Sequence, residues 1–525
     1  MSRDRCARRA VHRLLAVLAA VTLTATGCGA GDSDTSGAPK EGGTLTMMVG
    51  VDTRSFDPAL NQTMSPGAEA SRLAAVYGTL FWRDVETGEV KPGIGKSIEP
   101  SDDGKVWTVK LRPNIKFTDG SPFNAEAVAY NWQRLGDPEL RSPAYTLAKD
   151  PKFEAVDDLT VRITLPKPNF EFDKTVASAF TFIASAEALK KDPEGFGKKP
   201  VGAGPFKLER WVPGSETTFV RNENYWEKGK PHLDRLVIKP IPDATQAVET
   251  VISGGADLYT STLNEITDRA KEAGLTTKTA DSGGGNLNFF NVKRAPFNDV
   301  RARQAVSLAI DNGQLTKVMD PGQASKRATS LFAEESPYYD KSLQLPKQNR
   351  KRAQQLFNEL AAEGKPVNFT FAGLAGSSYE RAVQYIQAQL NQYDNVNMKI
   401  KTVDFASASE TIYIKRDFDA TIRPAIQAVT TPEPALSDTL ETGGRTNVSG
   451  YSSPEMDAAL AAGRAASTEQ DRIEAYKKLQ RIFLKDAPMW VFGNGDPNVI
   501  YRNHVTGVHM WEEGTVRFEE IALTE

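Results

Sequence analysis

The sequence predicts a mixed α/β architecture with more than one domain. Three observations predict it. The chain has 525 residues, which at roughly 150 residues per domain allows two to four domains, each able to bury a core. Segments that alternate apolar and polar residues are interleaved with segments whose apolar residues recur every three or four positions. The two kinds follow one another without a regular βαβ period, so this is an α/β chain with large insertions and no simple doubly wound sheet. With 40% apolar and 25% charged residues the composition is that of a folded globular protein.

After Gly42-Gly43, Thr44–Val49 reads as the first strand. Asp57-Pro58 turns the chain into a helical pattern through Ala68, Leu73, Val76 and Tyr77, and Leu80-Phe-Trp82 begins another strand. Trp107–Leu111 alternates with period two, as does Thr160–Leu165. Between them, Arg112-Pro-Asn114 turns into Ile115-Lys-Phe117, and Asp119-Gly120 is a strong turn signal. Asn124 is placed to cap a helix from Ala125 to Arg134, with Ala125, Val128 and Trp132 on one side. Later helices are expected over Asp299–Asp311, Lys351–Leu360, Ser378–Gln392 and Glu469–Leu484.

The N-terminus reads as an export address. Five arginines precede the apolar run Leu14–Leu23, whose ten residues span only about 15 Å as a helix, half of a bilayer core. Ala25-Thr-Gly27 then precede Cys28. This resembles a bacterial lipobox, which implies diacylglycerol on the Cys28 sulfur and cleavage before it. The residue three before the Cys is usually Leu, Val or Ile, and here it is Ala25. The alternative is an ordinary signal peptide with a coincidental Cys. Arg8-Arg9 lacks the apolar pair of a twin-arginine signal, which favours Sec export. The only cysteines are Cys6 and Cys28, so once residues 1–27 leave, no internal disulfide and no cysteine metal site can form. Residues 28–41 are small and polar and suit a tether. No later run reaches the length of a membrane span.

Without residues 1–27, 59 cations face 66 anions, a net charge of −7. That argues against general nucleic-acid binding, which needs a basic face. Enzyme signatures are weak. There is no HExxH, and the remaining histidines are His232, His504 and His509. Ala280-Asp-Ser-Gly-Gly284 imitates a nucleophile elbow but runs into a strand-like Leu287–Phe290 in place of the required helix. Gly283-Gly-Gly285 lacks the Gly-Lys-Ser/Thr and helix of a phosphate loop.

Ordered blocks of residues resemble one family. They are Gly42-Gly-Thr-Leu45, Ser55-Phe-Asp-Pro-Ala59, Lys91-Pro92 through Val128, Gly202-Ala-Gly-Pro-Phe-Lys-Leu208, Arg221-Asn-Glu-Asn-Tyr-Trp226, Pro296–Ala305 with Ala309-Ile-Asp311, Tyr451–Asp457, and Arg472, Tyr476 and Gln480. The chain resembles the extracellular solute-binding proteins of ABC importers, in the class that includes oligopeptide-, dipeptide- and nickel-binding members. The resemblance implies a periplasmic-binding-protein-like fold with two lobes and a cleft between them. Lobe one would take residues 42–288, with an extra subdomain at about 80–195. Lobe two would take 289–490, and 491–525 would return to lobe one. It implies a monomeric, lipid-anchored receptor on the outer face of the cell membrane. It would hand a peptide or peptide-like solute to ABC permease subunits, with no cofactor, no metal and no catalysis. Most of the shared blocks are turns and core residues, Tyr225 and Trp226 being expected in the core, so they specify fold more than ligand contact. A secreted hydrolase and a sensor partner are the competing readings.

In peptide binders of this family a Trp and then an Asp precede an Asp-Pro, and that Asp meets the ligand's amine. A buried ammonium without a counter-charge is costly. In this chain the matching stretch is Phe418–Pro434. Aligned on Pro432, the pair becomes Ala425 and Ala428; aligned on Pro434, it becomes Gln427 and Thr430. The acid is absent either way, and Arg423 and Gln427 stand in the segment. Arg423 offers five donors suited to a carboxylate or phosphate, which keeps a carbohydrate or small anionic solute open beside a peptide. A surface ion pair is its alternative role. Asp419 either substitutes for the missing acid or starts the loop. Trp82 could stack on a solute or belong to the core. Asn494, in Gly493-Asn-Gly495, could face the ligand or make a turn. The few histidines argue against a His-coordinated nickel site.

Overall fold

The computed structural model describes residues 40–60, 66–85, 87–280, 285–322, 327–426, 432–494, 496–511 and 514–524. Among them are a seven-stranded, a five-stranded and a four-stranded sheet, with three two-stranded ribbons.

Thr44–Val49 lies inside the seven-stranded sheet, parallel to Arg235–Pro240 on one side and to Leu258–Ser261 on the other. Its composition follows from that position. Leu45, Met47 and Val49 enter one buried cluster, while Met48 points to the opposite face with Tyr259 and Ile500. A strand covered on both faces reads as a nearly continuous apolar run. Glu216–Arg221 and Phe206–Val212 extend the sheet antiparallel on one side. Asn498–Tyr501 and Thr276–Thr279 extend it on the other.

The four-stranded antiparallel sheet comprises Gly95–Pro100, Val106–Leu111, Thr160–Thr164 and Lys152–Asp157. Its apolar face, with Trp107, Val109, Val161 and Ile163, packs on the helix Ala125–Leu135 through Val128 and Trp132. Asn124 caps this helix as the sequence predicts, its Oδ1 accepting the Ala127 N–H at 3.0 Å. Within the Ser55–Ala59 block, Asp57 binds the Arg134 guanidinium with both oxygens, at 3.0 and 2.8 Å, and so ties this layer to the segment after the first strand. Gly202 and Gly204 explain another block. A Cβ on Gly202 would lie 2.1 Å from the Val76 carbonyl oxygen, and one on Gly204 would lie 2.5 Å from the Gly78 nitrogen. Tyr225 and Trp226 are partly buried, Trp226 packing against the core of this layer with the Arg112 guanidinium 4.9 Å above its ring.

The five-stranded sheet runs in the order Val396–Val403, Val367–Leu374, Ala420–Ile426, Gly285–Phe290, Met489–Asn494. It too is covered on both faces. Leu287, Phe289, Met489 and Val491 enter one cluster, and Phe290, Ile422, Trp490 and Phe492 enter the other. Helices fall where the sequence places them: Val300–Ala309, Arg350–Ala362, Ser377–Leu390 and Glu469–Asp486.

Candidate functional site

Two segments join the sheets, 280–285 and 494–498. Thr279 stands opposite Asn498 in the seven-stranded sheet, and Gly285 stands opposite Asn494 in the five-stranded one. The Ala280 N–H reaches the Pro497 carbonyl at 3.0 Å between them. The residues on either side of the two connections thus pair antiparallel, 276–280 with 497–501 and 285 with 494. The last strand of the first sheet, Asn498–Tyr501, follows the second crossing, so the C-terminal segment returns to the sheet that contains Thr44–Val49. Lys40 and Leu523 meet there, N to O, at 2.8 Å.

In α/β sheets, ligands bind in the crevice beyond the carboxyl ends of the strands. On the five-stranded sheet, Gly285 sits in register between Ile426 and Asn494. Arg423, opposite Leu287, lies on the same strand as Ile426. Sheet register therefore places Arg423 and Asn494 toward one end of the five-stranded sheet. Gln427 itself lies outside the described residues, as does Cys28, and so do the side chains of Arg423 and Asn494. Asp419 is committed elsewhere: its carboxylate accepts the Thr370 N–H at 2.8 Å and lies 3.6 Å from Arg294. Trp82 belongs to a different element, the hairpin of Phe81–Arg83 with Val90–Pro92. The Arg517 guanidinium covers one face of its ring at 4.5 Å, and its indole nitrogen is buried. On the seven-stranded sheet, Asp52 follows the end of the first strand, receives the Gly214 N–H at 2.6 Å and lies 3.3 Å from the fully buried Arg72. Burial holds that guanidinium down to about 10.

Two other contacts bridge the halves. In one, the Asp320 carboxylate accepts the Asn264 and Glu265 N–H groups, each at 2.9 Å, at the start of the helix Asn264–Glu272. Arg381 pairs with Glu265 beside it, also at 2.9 Å. In the other, the Phe170 N–H donates to the Arg464 carbonyl at 2.7 Å, and Arg472 Nε lies 3.5 Å from Glu171. Around this second contact lie Glu433, Tyr338 and Tyr476, all held above their ordinary pKa by burial. No group of acidic, His or Cys side chains among the described residues could hold a metal. No helix among them is long and apolar enough to cross a membrane.

Residues 89–447 match the family described as bacterial extracellular solute-binding proteins, family 5. This chain belongs to that family. Among curated relatives, the glutathione-binding protein GsiB of Pectobacterium atrosepticum is 30% identical over 497 residues, covering 91% of this chain and 94% of that protein. GsiB of Salmonella typhimurium is 29% identical over 464 residues, covering 85% and 88%. Among solved structures, the oligopeptide-binding protein AppA of Bacillus subtilis, in complex with a nonapeptide, superposes with a TM-score of 0.81 at 21% identity, covering 93% of this chain and all of that one. AgaA from A. tumefaciens R10, in complex with agropinic acid, gives 0.80 at 23% identity, covering 92% and 99%. The fold is the two-lobed periplasmic-binding-protein fold expected from the sequence.

Several residues of the shared blocks have structural roles in this family 5 chain. Asp57, Gly202, Gly204, and Asn222, whose amide donates to the Gly204 carbonyl at 2.8 Å, all hold backbone in place. The sequence reading missed Glu171, Asp320 and Glu433. Only Glu433 carried a signal, being an acid fixed between Pro432 and Pro434.

Proposed function

We propose that this family 5 protein captures a peptide-like solute outside the cytoplasm and presents it unaltered to an ABC permease, moored through a lipid on Cys28. The observation that carries this reading is the pair of connections between the seven- and five-stranded sheets, in a fold that matches solute receptors over nine-tenths of the chain. A solute that touches both halves favours closure by its differential contacts with the closed form. On this reading lobe one is the body around the seven-stranded sheet with its four-stranded subdomain, and lobe two surrounds the five-stranded sheet. Peptide-like cargo is supported by relatives named for glutathione and by fold neighbours that hold peptides. A small anionic solute is the second reading, favoured by Arg423 and by the neighbour that holds agropinic acid.

The test is a thermal-shift panel on the exported chain, with glutathione, di- and tripeptides and agropinic acid. The expected result is a saturable rise in melting temperature and recovery of the intact compound. Steady product release would support the hydrolase instead. Arg423→Ala should weaken a carboxylate-bearing solute at least tenfold, the scale of one charged hydrogen bond; unchanged affinity removes Arg423 from the site.

A further inference from the structure

We propose that the contact of Phe170 and Glu171 with Arg464 and Arg472 is a clasp that holds the two lobes together and parts when they open, while the contact at Asp320 is a pivot that stays made. The proposal rests on the receptor reading only for the movement of the lobes. A hydrolase with the same two lobes would carry the same clasp, so the two claims fail separately.

Both contacts close a helix end with a group from the opposite lobe, since the terminal N–H and C=O groups of a helix have no partner within it. Their positions differ. The Asp320 contact lies beside a connection between the lobes. On one side, Asn264 follows Ser261, which pairs with Asn498 where the 494–498 connection enters the seven-stranded sheet. On the other, Asp320 follows the helix Asn312–Met319, whose Thr316 hydroxyl donates to the Phe492 carbonyl at 3.0 Å just before that connection. The contact thus spans the same gap as the connection, where bending displaces atoms least.

The Phe170 contact joins other elements, the four-stranded layer to the helices Pro454–Ala465 and Glu469–Asp486. Its first-lobe side is a fixed tongue. The Asn169 N–H donates to the Gly104 carbonyl at 2.9 Å, and the Trp107 indole N–H donates to the Asn169 carbonyl at 3.0 Å. Asn169 Oδ1 accepts the Glu171 N–H at 2.9 Å. Glu171 then leads into the helix Phe172–Ala179, which packs in the first-lobe core. On the second-lobe side, the Phe170 N–H reaches the Arg464 carbonyl in the last turn of its helix at 2.7 Å. Arg472 donates to the Ala466 carbonyl at 2.8 Å, and its Nε lies 3.5 Å from Glu171, with side chains 15% and 3% exposed.

Two of these interactions cross between the lobes, Phe170 to Arg464 and Glu171 to Arg472. Opening breaks those two and leaves the Asn169 bonds intact. The clasp parts without stranding a charge. Glu171 keeps Lys174 of its own lobe at 3.2 Å, and Arg472 keeps the Ala466 carbonyl. A charged contact of this kind shifts the ratio of closed to open by about tenfold.

The test is hydrogen exchange read at single amides of the exported chain with no solute added, since exchange reports sub-global opening. The Phe170 amide should exchange faster than those of Asn169 and Asn264. Arg472→Gln should speed Phe170 about tenfold and leave the other two unchanged. Glu171→Gln should do the same, and the double variant should do no more than either alone. Should Arg472→Gln not fold, Glu171→Gln carries the test. Phe170 and Asn169 amides that exchange together overturn the clasp, as does a Phe170 rate that the substitutions leave unchanged. A double variant whose effect is the product of the two single ones also overturns it. An Asn264 amide that accelerates along with Phe170 overturns the pivot.

Discussion

Asp57 and Arg134 form a buried pair, with side chains 2% and 12% exposed. Removing one member of such a pair leaves a charge with no counterpart and costs about 3–5 kcal/mol. Asp57→Ala should lower the unfolding free energy by that amount in urea titrations, whereas the exposed Arg352–Glu359 pair should matter little when Glu359 is removed. A loss at Asp57 no larger than at Glu359 would refute its structural role. Gly202→Ala should be at least as damaging, because its new methyl would overlap the Val76 carbonyl at 2.1 Å. These residues were legible in the sequence as shared blocks, but their partners were not. Nothing near Asp57 in the chain announces Arg134, which is 77 positions away.

At the scale of elements, periodicity served well where one pattern held over a full strand or helix. Thr44–Val49 and Ala125–Leu135 fall where they were placed, the second with the cap Asn124 predicts. Ile115–Phe117 shows the limit. Its alternation is real, but the segment makes only an isolated bridge, Lys116 to Pro122, around the Asp119-Gly120 turn. The start of the helix Asn264–Glu272 was illegible for a different reason. The residue that caps it, Asp320, belongs to the other half of the molecule. Asp320→Ala should free the Asn264 and Glu265 amides, raising their hydrogen-exchange rates and costing about 0.5–2 kcal/mol, as loss of a cap does. Unchanged exchange at those two amides would show that the contact does no capping. Sheet register places Arg423 and Asn494 toward one end of a sheet, whereas Trp82 sits in a hairpin buttressed by Arg517, a pairing across 435 positions that no local pattern encodes.

At the scale of the whole molecule, the proposed function is that of a hinged receptor tied to a surface. Cys28→Ser should release the exported chain from the membrane fraction into the soluble one without changing its melting temperature, since Cys28 lies ahead of the first strand, Thr44–Val49. Continued membrane association would point to another anchor. The central claim is that two lobes close on an intact guest. The most direct measurement is mass spectrometry of small molecules released by denaturing the purified exported chain, paired with a thermal shift on adding each released compound back. The account predicts one unmodified compound, retained at up to one per chain, that raises the melting temperature when restored. A released pair of cleavage products, or a chain that consumes the compound when it is added back, would contradict it.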